Sequence, residues 1–170
     1  MIPLIAILIV MPATSDWANY LSAALFCLVA FTDWLDGFLA RKWKVESPFG
    51  AFLDPVADKL LVVVLLILLA IQGPALLMVL SVLIIVSREI IISALREWMA
   101  SIGMRDVVKV ASIGKVKTTL QMIAIFLLLL AEPNTGSNIY SLGLLALYAA
   151  AAVTLISMIQ YLNAAAKSLK

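Results

Sequence analysis

The sequence predicts an all-α membrane protein, a bundle of six transmembrane helices formed by a single domain over residues 1–170. Hydrophobic residues make up 65% of the chain and charged residues only 13%, whereas soluble domains carry about 25% charged residues. The apolar residues fall in repeated runs of the length that a helix needs to cross a bilayer. Connections with basic residues alternate with connections that have none.

The apolar segments give the six predicted helices in order. The first covers residues 1–11, and the second begins near residue 20, reaches 32 and continues through an aspartate-rich stretch. The other four are predicted at 55–71, 75–98, 118–131 and 140–162. The first segment is short, because ten helical residues rise about 15 Å, half of the hydrocarbon thickness. We therefore expect that a native N-terminal extension is missing from this chain.

The positions of the basic residues predict which side of the membrane each connection faces. The connections near residue 14, at 72–74 and at 132–138 contain neither lysine nor arginine. Basic residues of membrane proteins concentrate on the cytoplasmic side. We therefore expect the aspartate-rich stretch at 33–59, the 96–117 connection and both termini to lie in the cytoplasm.

The composition excludes several kinds of chemistry. The chain has no histidine, and its single cysteine, Cys27, lies within an apolar run. A disulfide framework, a cysteine metal site and nucleophiles that depend on histidine are therefore excluded. Carboxylates are the acid–base groups that remain in quantity. Nothing in the sequence supports binding of nucleic acid.

Four aspartates in the stretch at 33–59 predict a metal site. Asp33 and Asp36 are three residues apart and Asp54 and Asp58 four apart, so each pair shares one face of a helix. Any one of them could be an interfacial charge, but four anions converging at membrane depth would repel strongly. Mg²⁺ or Mn²⁺ would relieve that repulsion, because hard divalent cations prefer oxygen ligands.

Small residues accompany these aspartates. Gly37 and Ala40 follow Asp33 by four and seven residues and leave one helix face bare, and Gly50 precedes Asp54 by four. A bare face admits either a neighbouring helix or a flat ligand such as a nucleotide base. Arg41 adds a planar fork of donors that suits a phosphate.

The residues at 33–58 fit the pattern D-x2-D-G-x2-A-R-x8-G-x3-D-x3-D at every fixed position. This pattern resembles the signature of the CDP-alcohol phosphotransferase family, whose members displace CMP from a CDP-linked substrate with an alcohol, using divalent metal. The resemblance implies a six-helix fold with the active site at the cytoplasmic side. It also implies two bound cations, Mg²⁺ or Mn²⁺.

The resemblance assigns roles to the residues by position. Asp33, Asp36 and Asp54 are expected to bind metal, and Asp58 to bind the second metal or to act as the general base. The positions expected to contact the CDP moiety are Gly37, Ala40, Arg41 and Gly50.

Two further segments bear on the alcohol. Residues 87–100 and 114–125 resemble the corresponding segments of the bacterial phosphatidylglycerophosphate synthases, a branch of this family. This implies transfer of the phosphatidyl group of CDP-diacylglycerol to glycerol 3-phosphate in phospholipid biosynthesis. It also implies a location in the bacterial cytoplasmic (inner) membrane, in contact with membrane lipid.

A phosphorylated acceptor needs cations for its phosphate. The candidates are Arg88, Arg96, Lys115 and Lys117. Arg96 with Lys115 and Lys117 forms the preferred cluster, and Arg88 and Arg96 are spaced to share one helix face. Arg88 precedes a mostly apolar run, so it needs a partner at that depth, and Glu89 and Glu97 are the candidates for pairing within the helix.

Other readings remain open. The acceptor could be phosphatidylglycerol, serine or an inositol phosphate, and a small cation transporter could also hold carboxylates in a membrane. The clustering of all four aspartates near one face argues against a transporter, because a conduction path needs polar groups on both sides of the midplane. The small-residue run at 147–153 allows a possible homodimer.

Overall fold

The computed structural model describes residues 16–43, 48–73, 75–104, 112–131 and 137–168. Within these ranges the chain forms five α-helices: α1 (Asp16–Trp43), α2 (Pro48–Gln72), α3 (Leu76–Ser101), α4 (Ser112–Leu130) and α5 (Asn138–Ser168). The all-α class is therefore confirmed for the described residues. The first predicted helix, at 1–11, lies outside them, so the count of six spans stays a prediction.

Two helices begin earlier than their apolar segments indicated. α2 begins at Pro48 rather than at Pro55, about two helical turns earlier. Proline suits the first turn of a helix, where its missing N–H has no intrahelical partner to lose. α4 begins at Ser112 rather than near residue 118. In both cases the predicted start was wrong because charged motif residues interrupt the apolar pattern without ending the helix, Asp54 in α2 and Lys115 and Lys117 in α4.

The C-terminus of α3 is closed by a Schellman motif. The Met104 N–H donates to the Met99 carbonyl at 2.8 Å, and the Gly103 N–H donates to the Ala100 carbonyl at 3.1 Å. This pattern requires a left-handed residue just after the helix, and Gly103 supplies it with φ +78°. The motif ends α3 close to its last buried side chain, Met99.

The bundle is organised around α4 and α5. α5 packs along both α4 and α3, while α1 and α2 each pack on α4, and α2 also packs on α3. Gly143 of α5 allows the close approach to α4, since a Cβ at this position would lie 2.9 Å from the Leu128 Cγ atom. The helices thus enclose one continuous interior.

Most of that interior is an apolar core to which every described helix contributes. Its fully buried members come from all five helices: Ala23, Phe26, Leu65, Leu66, Leu69, Met78, Val82, Ile85, Ala124, Ile125, Leu128, Leu129, Leu147, Ala150 and Ala151. A smaller apolar cluster joins the C-terminal halves of α3 and α5 and contains Ile92, Met99, Tyr161 and Ala165. The polar site described below lies between the helices at the junction of these two groups.

The surface of the bundle suits a membrane. α3 and α5 are long and apolar enough to cross one, by length and composition, and shorter apolar helical stretches run over Trp17–Thr32, Lys59–Gln72 and Val116–Leu130. Large apolar side chains point outward, with Leu76 73% and Ile71 68% exposed. Apolar surface on this scale is typical of contact with lipid or a partner rather than with water.

Candidate functional site

A buried charged layer crosses the bundle near the middle of α3. It consists of Arg88, Glu89 and Arg96 from α3, Lys117 from α4, and Ser157 and Tyr161 from α5, and we call it the charged layer. The side chain of Arg88 is 7% exposed and that of Lys117 only 2%. A buried charge is costly unless it is paired and hydrogen-bonded, so the partners of these cations decide what the layer does.

Glu89 is the carboxylate at the centre of the layer. Its Oε1 atom accepts a hydrogen bond from Arg88 Nη1 at 3.3 Å and another from the Lys117 ammonium. The first contact joins neighbours in sequence, whereas the second crosses from α3 to α4. One carboxylate oxygen therefore serves two cations from two helices.

The two arginines share a binding face on α5. Arg88 Nη2 donates to the Ser157 hydroxyl at 2.9 Å, and Arg96 Nη2 donates to the Tyr161 hydroxyl at 3.2 Å. Both guanidinium groups also lie over the Tyr161 ring, at 5.6 Å for Arg88 and 5.3 Å for Arg96. These distances lie within the range of cation–π attraction. Tyr161 thus contacts both guanidinium groups through its ring and accepts a hydrogen bond from Arg96.

Several polar groups in and beside the layer have no hydrogen-bond partner among the residues that the structure describes. The Nε atoms of Arg88 and Arg96 are buried without a hydrogen bond, as is the Nε2 atom of Gln121, one turn after Lys117 on α4. The hydroxyl of Thr154, one turn before Ser157 on α5, is also unpaired. Buried polar groups normally have a partner. This set of unused donors therefore indicates a polar ligand.

The charges of the layer do not balance. Arg88, Arg96 and Lys117 contribute three positive charges, and Glu89 contributes one negative charge. Among the described side chains of the layer, two positive charges are left in excess. Arginine forks and a lysine ammonium are the groups that bind phosphate and carboxylate anions, so this arrangement can bind a doubly charged anion.

A contact from α2 links the charged layer to the aspartate motif. The Lys59 ammonium donates to the Ser93 hydroxyl of α3 at 2.8 Å, and that hydroxyl donates to the Glu89 carbonyl at 2.6 Å. Lys59 directly follows Asp58 in the chain. The segment of α2 that carries Asp58 therefore lies beside α3 in the stretch between Arg88 and Arg96.

The aspartates lie on the helices that their spacing predicted. Asp33 and Asp36 belong to α1, and Asp54 and Asp58 belong to α2. Each pair is thus one helical turn apart, as expected. Their side chains lie outside the part of the structure that is described, so the metal site, including Asp58 as general base, stays a prediction.

The same holds for the predicted contacts to the CDP moiety. Gly37, Ala40 and Arg41 lie in α1, and Gly50 lies in the first turn of α2. Lys115 lies in the first turn of α4. The side chains of these residues are likewise outside the described part, and their roles stay predictions.

Three of the four cations predicted for the phosphate site lie together in the structure, and the side chain of the fourth, Lys115, is outside the described part. Arg88, Arg96 and Lys117 are brought together by the fold, and Glu89 is the partner that Arg88 needed. The pairing of Glu89 was expected only within α3, and its contact with Lys117 was missed because nothing in the sequence gives the register between α3 and α4.

Three polar positions on α5 were also missed. Thr154, Ser157 and Tyr161 are buried on one face, and a signal for them was present. Polar side chains recurring at three- and four-residue spacing inside an apolar helix indicate a polar face turned toward a partner. Only charged residues were considered for the site, so this pattern was passed over.

The fold and the two sets of polar residues define a class of protein: an all-α bundle with an apolar surface, aspartate pairs on the successive helices α1 and α2, and a charged layer beside α2. Residues 1–159 match the model of the family described as CDP-alcohol phosphatidyltransferase. The chain belongs to this family, which confirms the resemblance seen in the signature at 33–58.

Curated relatives point to one branch of the family. The chain is 54% identical over 149 residues to a protein of Pectobacterium atrosepticum, covering 88% of this chain and 80% of that protein. It is 50% identical to a protein of Sodalis glossinidius and 47% identical to one of Escherichia coli K12, each over 165 residues, 97% of this chain and 88% of the relative. All three are named CDP-diacylglycerol–glycerol-3-phosphate 3-phosphatidyltransferase.

Proposed function

We propose that this chain transfers the phosphatidyl group of CDP-diacylglycerol to glycerol 3-phosphate, giving phosphatidylglycerophosphate and CMP in phospholipid biosynthesis. Relatives that cover most of the chain carry the name of this enzyme. The structural observation that carries the choice of acceptor is the charged layer, in which the buried cations Arg88 and Lys117 contact one carboxylate and the half-buried Arg96 lies beside them. Among the described residues, none accepts a hydrogen bond from the Nε atoms of the two arginines.

Glycerol 3-phosphate fits the layer by charge. A phosphomonoester carries about −1.5 to −2 charges near pH 7 and offers strong acceptor oxygens. Arg88 and Arg96 supply planar forks and Lys117 supplies a point charge. We propose Lys115, in the first turn of α4, as a further cation for the acceptor phosphate that is not part of the charged layer. The unpaired Nε groups then provide hydrogen bonds that the protein itself leaves unmade.

The donor substrate is assigned to the aspartate motif. Gly37, Ala40, Arg41 and Gly50 bind the CDP moiety, the small residues by leaving room for it and Arg41 by donating to its phosphates. Asp33, Asp36, Asp54 and Asp58 hold two divalent cations, Mg²⁺ or Mn²⁺, for which four carboxylates form a suitable oxygen donor set. When bound, the cations neutralise the diphosphate that the acceptor attacks.

Asp58 is the residue that joins the two halves of the reaction. An alcohol is a weak nucleophile and needs a base within reach, and histidine is absent from the sequence. Asp58 accepts the proton of the acceptor hydroxyl while the charged layer holds the acceptor's phosphate. The contact of Lys59 with Ser93 supports this role, because it keeps the Asp58 segment beside the layer.

The location and membrane topology of the enzyme are proposed from its apolar segments and basic connections. We propose six transmembrane spans in the bacterial cytoplasmic (inner) membrane, with both termini and the active site on the cytoplasmic side and lipid on the outer faces. The alternation of basic connections supports this orientation. A homodimer is also proposed, in which the exposed side of the run at 147–153, with Ala149 and Ala152, would meet its copy, since Leu147, Ala150 and Ala151 are buried in the core.

The first test is CMP release from CDP-diacylglycerol by the purified protein, with Mg²⁺ or Mn²⁺ and with each candidate alcohol offered separately. Release that needs both the metal and glycerol 3-phosphate is expected. Release with phosphatidylglycerol, serine or an inositol phosphate instead would keep the aspartate chemistry and remove the proposed acceptor. Undiminished turnover by Asp58→Asn would remove the base.

A further inference from the structure

One feature of the charged layer is not explained by binding of the acceptor alone. Glu89 is an anion placed among the cations that should bind an anion, and its Oε1 atom accepts from both Arg88 and Lys117. A carboxylate in that position would repel a phosphate. A site built only for tight binding of phosphate would leave it out.

We propose that Glu89 is a specificity-determining residue that sets the net charge of the charged layer to match a doubly charged phosphomonoester. The inference rests on the proposed function. With Glu89 present, the layer has two positive charges in excess, which a phosphomonoester dianion neutralises. Without Glu89 the excess would be three, and the dianion would leave one cation buried and uncompensated.

Burial makes this match decisive. Arg88 and Lys117 are almost completely removed from solvent, and in such surroundings charge–charge energies are several times larger than in water. A neutral alcohol such as serine would leave two charges uncompensated, and a phosphodiester would leave one. Both are disfavoured, because an unpaired buried charge is costly.

The neighbours of Glu89 support a role in charge rather than in direct contact with the acceptor. The guanidinium groups of Arg88 and Arg96 are already oriented by Ser157 and by the Tyr161 ring and hydroxyl. Arg88 therefore does not depend on Glu89 for its position. What Glu89 adds is a negative charge that pairs with Lys117 while no acceptor is bound.

The test measures anion binding rather than turnover. The full chain, purified in detergent, is heated with increasing inorganic phosphate. The dependence of Tm on phosphate concentration gives an apparent Kd for phosphate. Glu89→Gln keeps the side-chain shape and removes the charge. Glu97→Gln is the matched control, since Glu97 lies on the same helix two turns away and is exposed.

We expect Glu89→Gln to bind inorganic phosphate about tenfold more tightly than the wild type, because one opposing charge has been removed from a buried site. Its Tm without phosphate should fall, since Lys117 loses its partner. In turnover assays the KM for glycerol 3-phosphate should fall together with the apparent Kd for inorganic phosphate. Glu97→Gln should match the wild type in all three measurements.

A second variant separates charge from geometry and serves if Glu89→Gln does not fold. Glu89→Asp keeps the charge and shortens the side chain by one methylene. Its phosphate affinity should stay within about twofold of the wild type, since the net charge is unchanged. If Glu89→Asp instead behaved like Glu89→Gln, position rather than charge would govern binding, and the proposal would be overturned.

The remaining outcomes distinguish this inference from the proposed function. A lower Tm for Glu89→Gln with an unchanged apparent Kd for phosphate would mean that Glu89 only stabilises the contact between α3 and α4. That outcome would overturn the inference alone. Failure of phosphate to stabilise the wild type would overturn the acceptor-phosphate site and the inference with it. CMP release with glycerol 3-phosphate, measured separately, would still decide the reaction.

Discussion

The apolar core and the charged layer are held together in opposite ways. The core collects fully buried side chains from all five described helices, and its stability is the sum of many weak contacts that adapt to one another. The charged layer depends on a few directional contacts of Arg88, Glu89, Arg96 and Lys117, two of them to hydroxyl groups of α5.

The difference shows where function resides in this bundle. The core is complete without any ligand, because its side chains satisfy one another. Among the described side chains, the layer is incomplete, since it has excess positive charge and arginine Nε groups without partners. A region that is buried and yet unsatisfied is stable only when the rest of the fold compensates for it or when a ligand completes it. Variants in the two regions should therefore fail differently.

The largest effect is expected from Lys117→Met, which breaks the charged layer. The variant leaves Glu89 buried with Arg88 as its remaining partner, and breaking a buried ion pair costs about 3–5 kcal/mol. The free energy of unfolding should fall by that amount, and the KM for glycerol 3-phosphate should rise. Lys167→Met, at an exposed position near the end of α5, is the control. A stability equal to that of the control would contradict the role of the layer.

The next effect is expected from Leu65→Ala in the apolar core. Leu65 is completely buried, and removing such a side chain costs about 2–5 kcal/mol in stability. Unlike Lys117→Met, this variant should keep its KM for glycerol 3-phosphate when assayed below its Tm. Ile67→Ala on the same helix, where the side chain is 43% exposed, should have a much smaller effect. A change in KM for Leu65→Ala would show that the two regions are not separate.

A smaller effect is expected at the contact between α4 and α5. Gly143→Ala places a Cβ 2.9 Å from the Leu128 Cγ atom, and overpacking of this kind costs about 1–3 kcal/mol. Trimming the neighbour by Leu128→Ala should relieve the clash, so the double variant should lose less stability than the two single variants together. If the losses in the free energy of unfolding of the two single variants simply added in the double variant, the strain would not arise from the contact with Leu128.

A fourth variant, Tyr161→Phe, separates two contacts of the same residue. The ring and its attraction to both guanidinium groups remain, but Arg96 loses the hydroxyl that accepts its hydrogen bond. A hydrogen bond to a charged group contributes about 1.5–3 kcal/mol, and part of it should appear as a KM for glycerol 3-phosphate raised about tenfold. Tyr161→Leu removes both contacts and should be worse in the same assay. Equal behaviour of the two variants would assign the whole effect to the hydroxyl, and wild-type behaviour of Tyr161→Phe would assign it to the ring.

The same contrast explains what the sequence alone could predict. The helices follow from apolar runs, and the aspartate pairs on α1 and α2 follow from spacing within one helix, because both are local properties. Arg88, Arg96 and Lys117 were also identified, since a cation in an apolar run needs a reason to be there. The signature at 33–58 led to the family, which the comparison with known proteins confirmed.

What could not be predicted depends on the register between helices. The contact of Lys117 with Glu89 and that of Arg88 with Ser157 join residues far apart in the chain. Their pairing depends on the axial register of α3, α4 and α5 relative to one another. Close contacts between helices, such as that at Gly143, determine this register. The starts of α2 and α4 were misplaced for a related reason, since polar residues of a site interrupt the apolar pattern without ending the helix.

The smallest effect is expected at Gly103, which belongs to neither region but fixes where α3 ends. Its φ of +78° is a conformation that a residue with a Cβ adopts at a cost of about 1 kcal/mol. No neighbouring atom would meet the added methyl group, so Gly103→Ala should lower the free energy of unfolding by about that amount through the backbone alone. Gly103→Asn should lose less, because asparagine tolerates the left-handed region better than alanine does. A larger loss, or a changed KM for glycerol 3-phosphate, would mean that the end of α3 also positions Arg96, and the contrast between the two regions would then extend to the loop that follows.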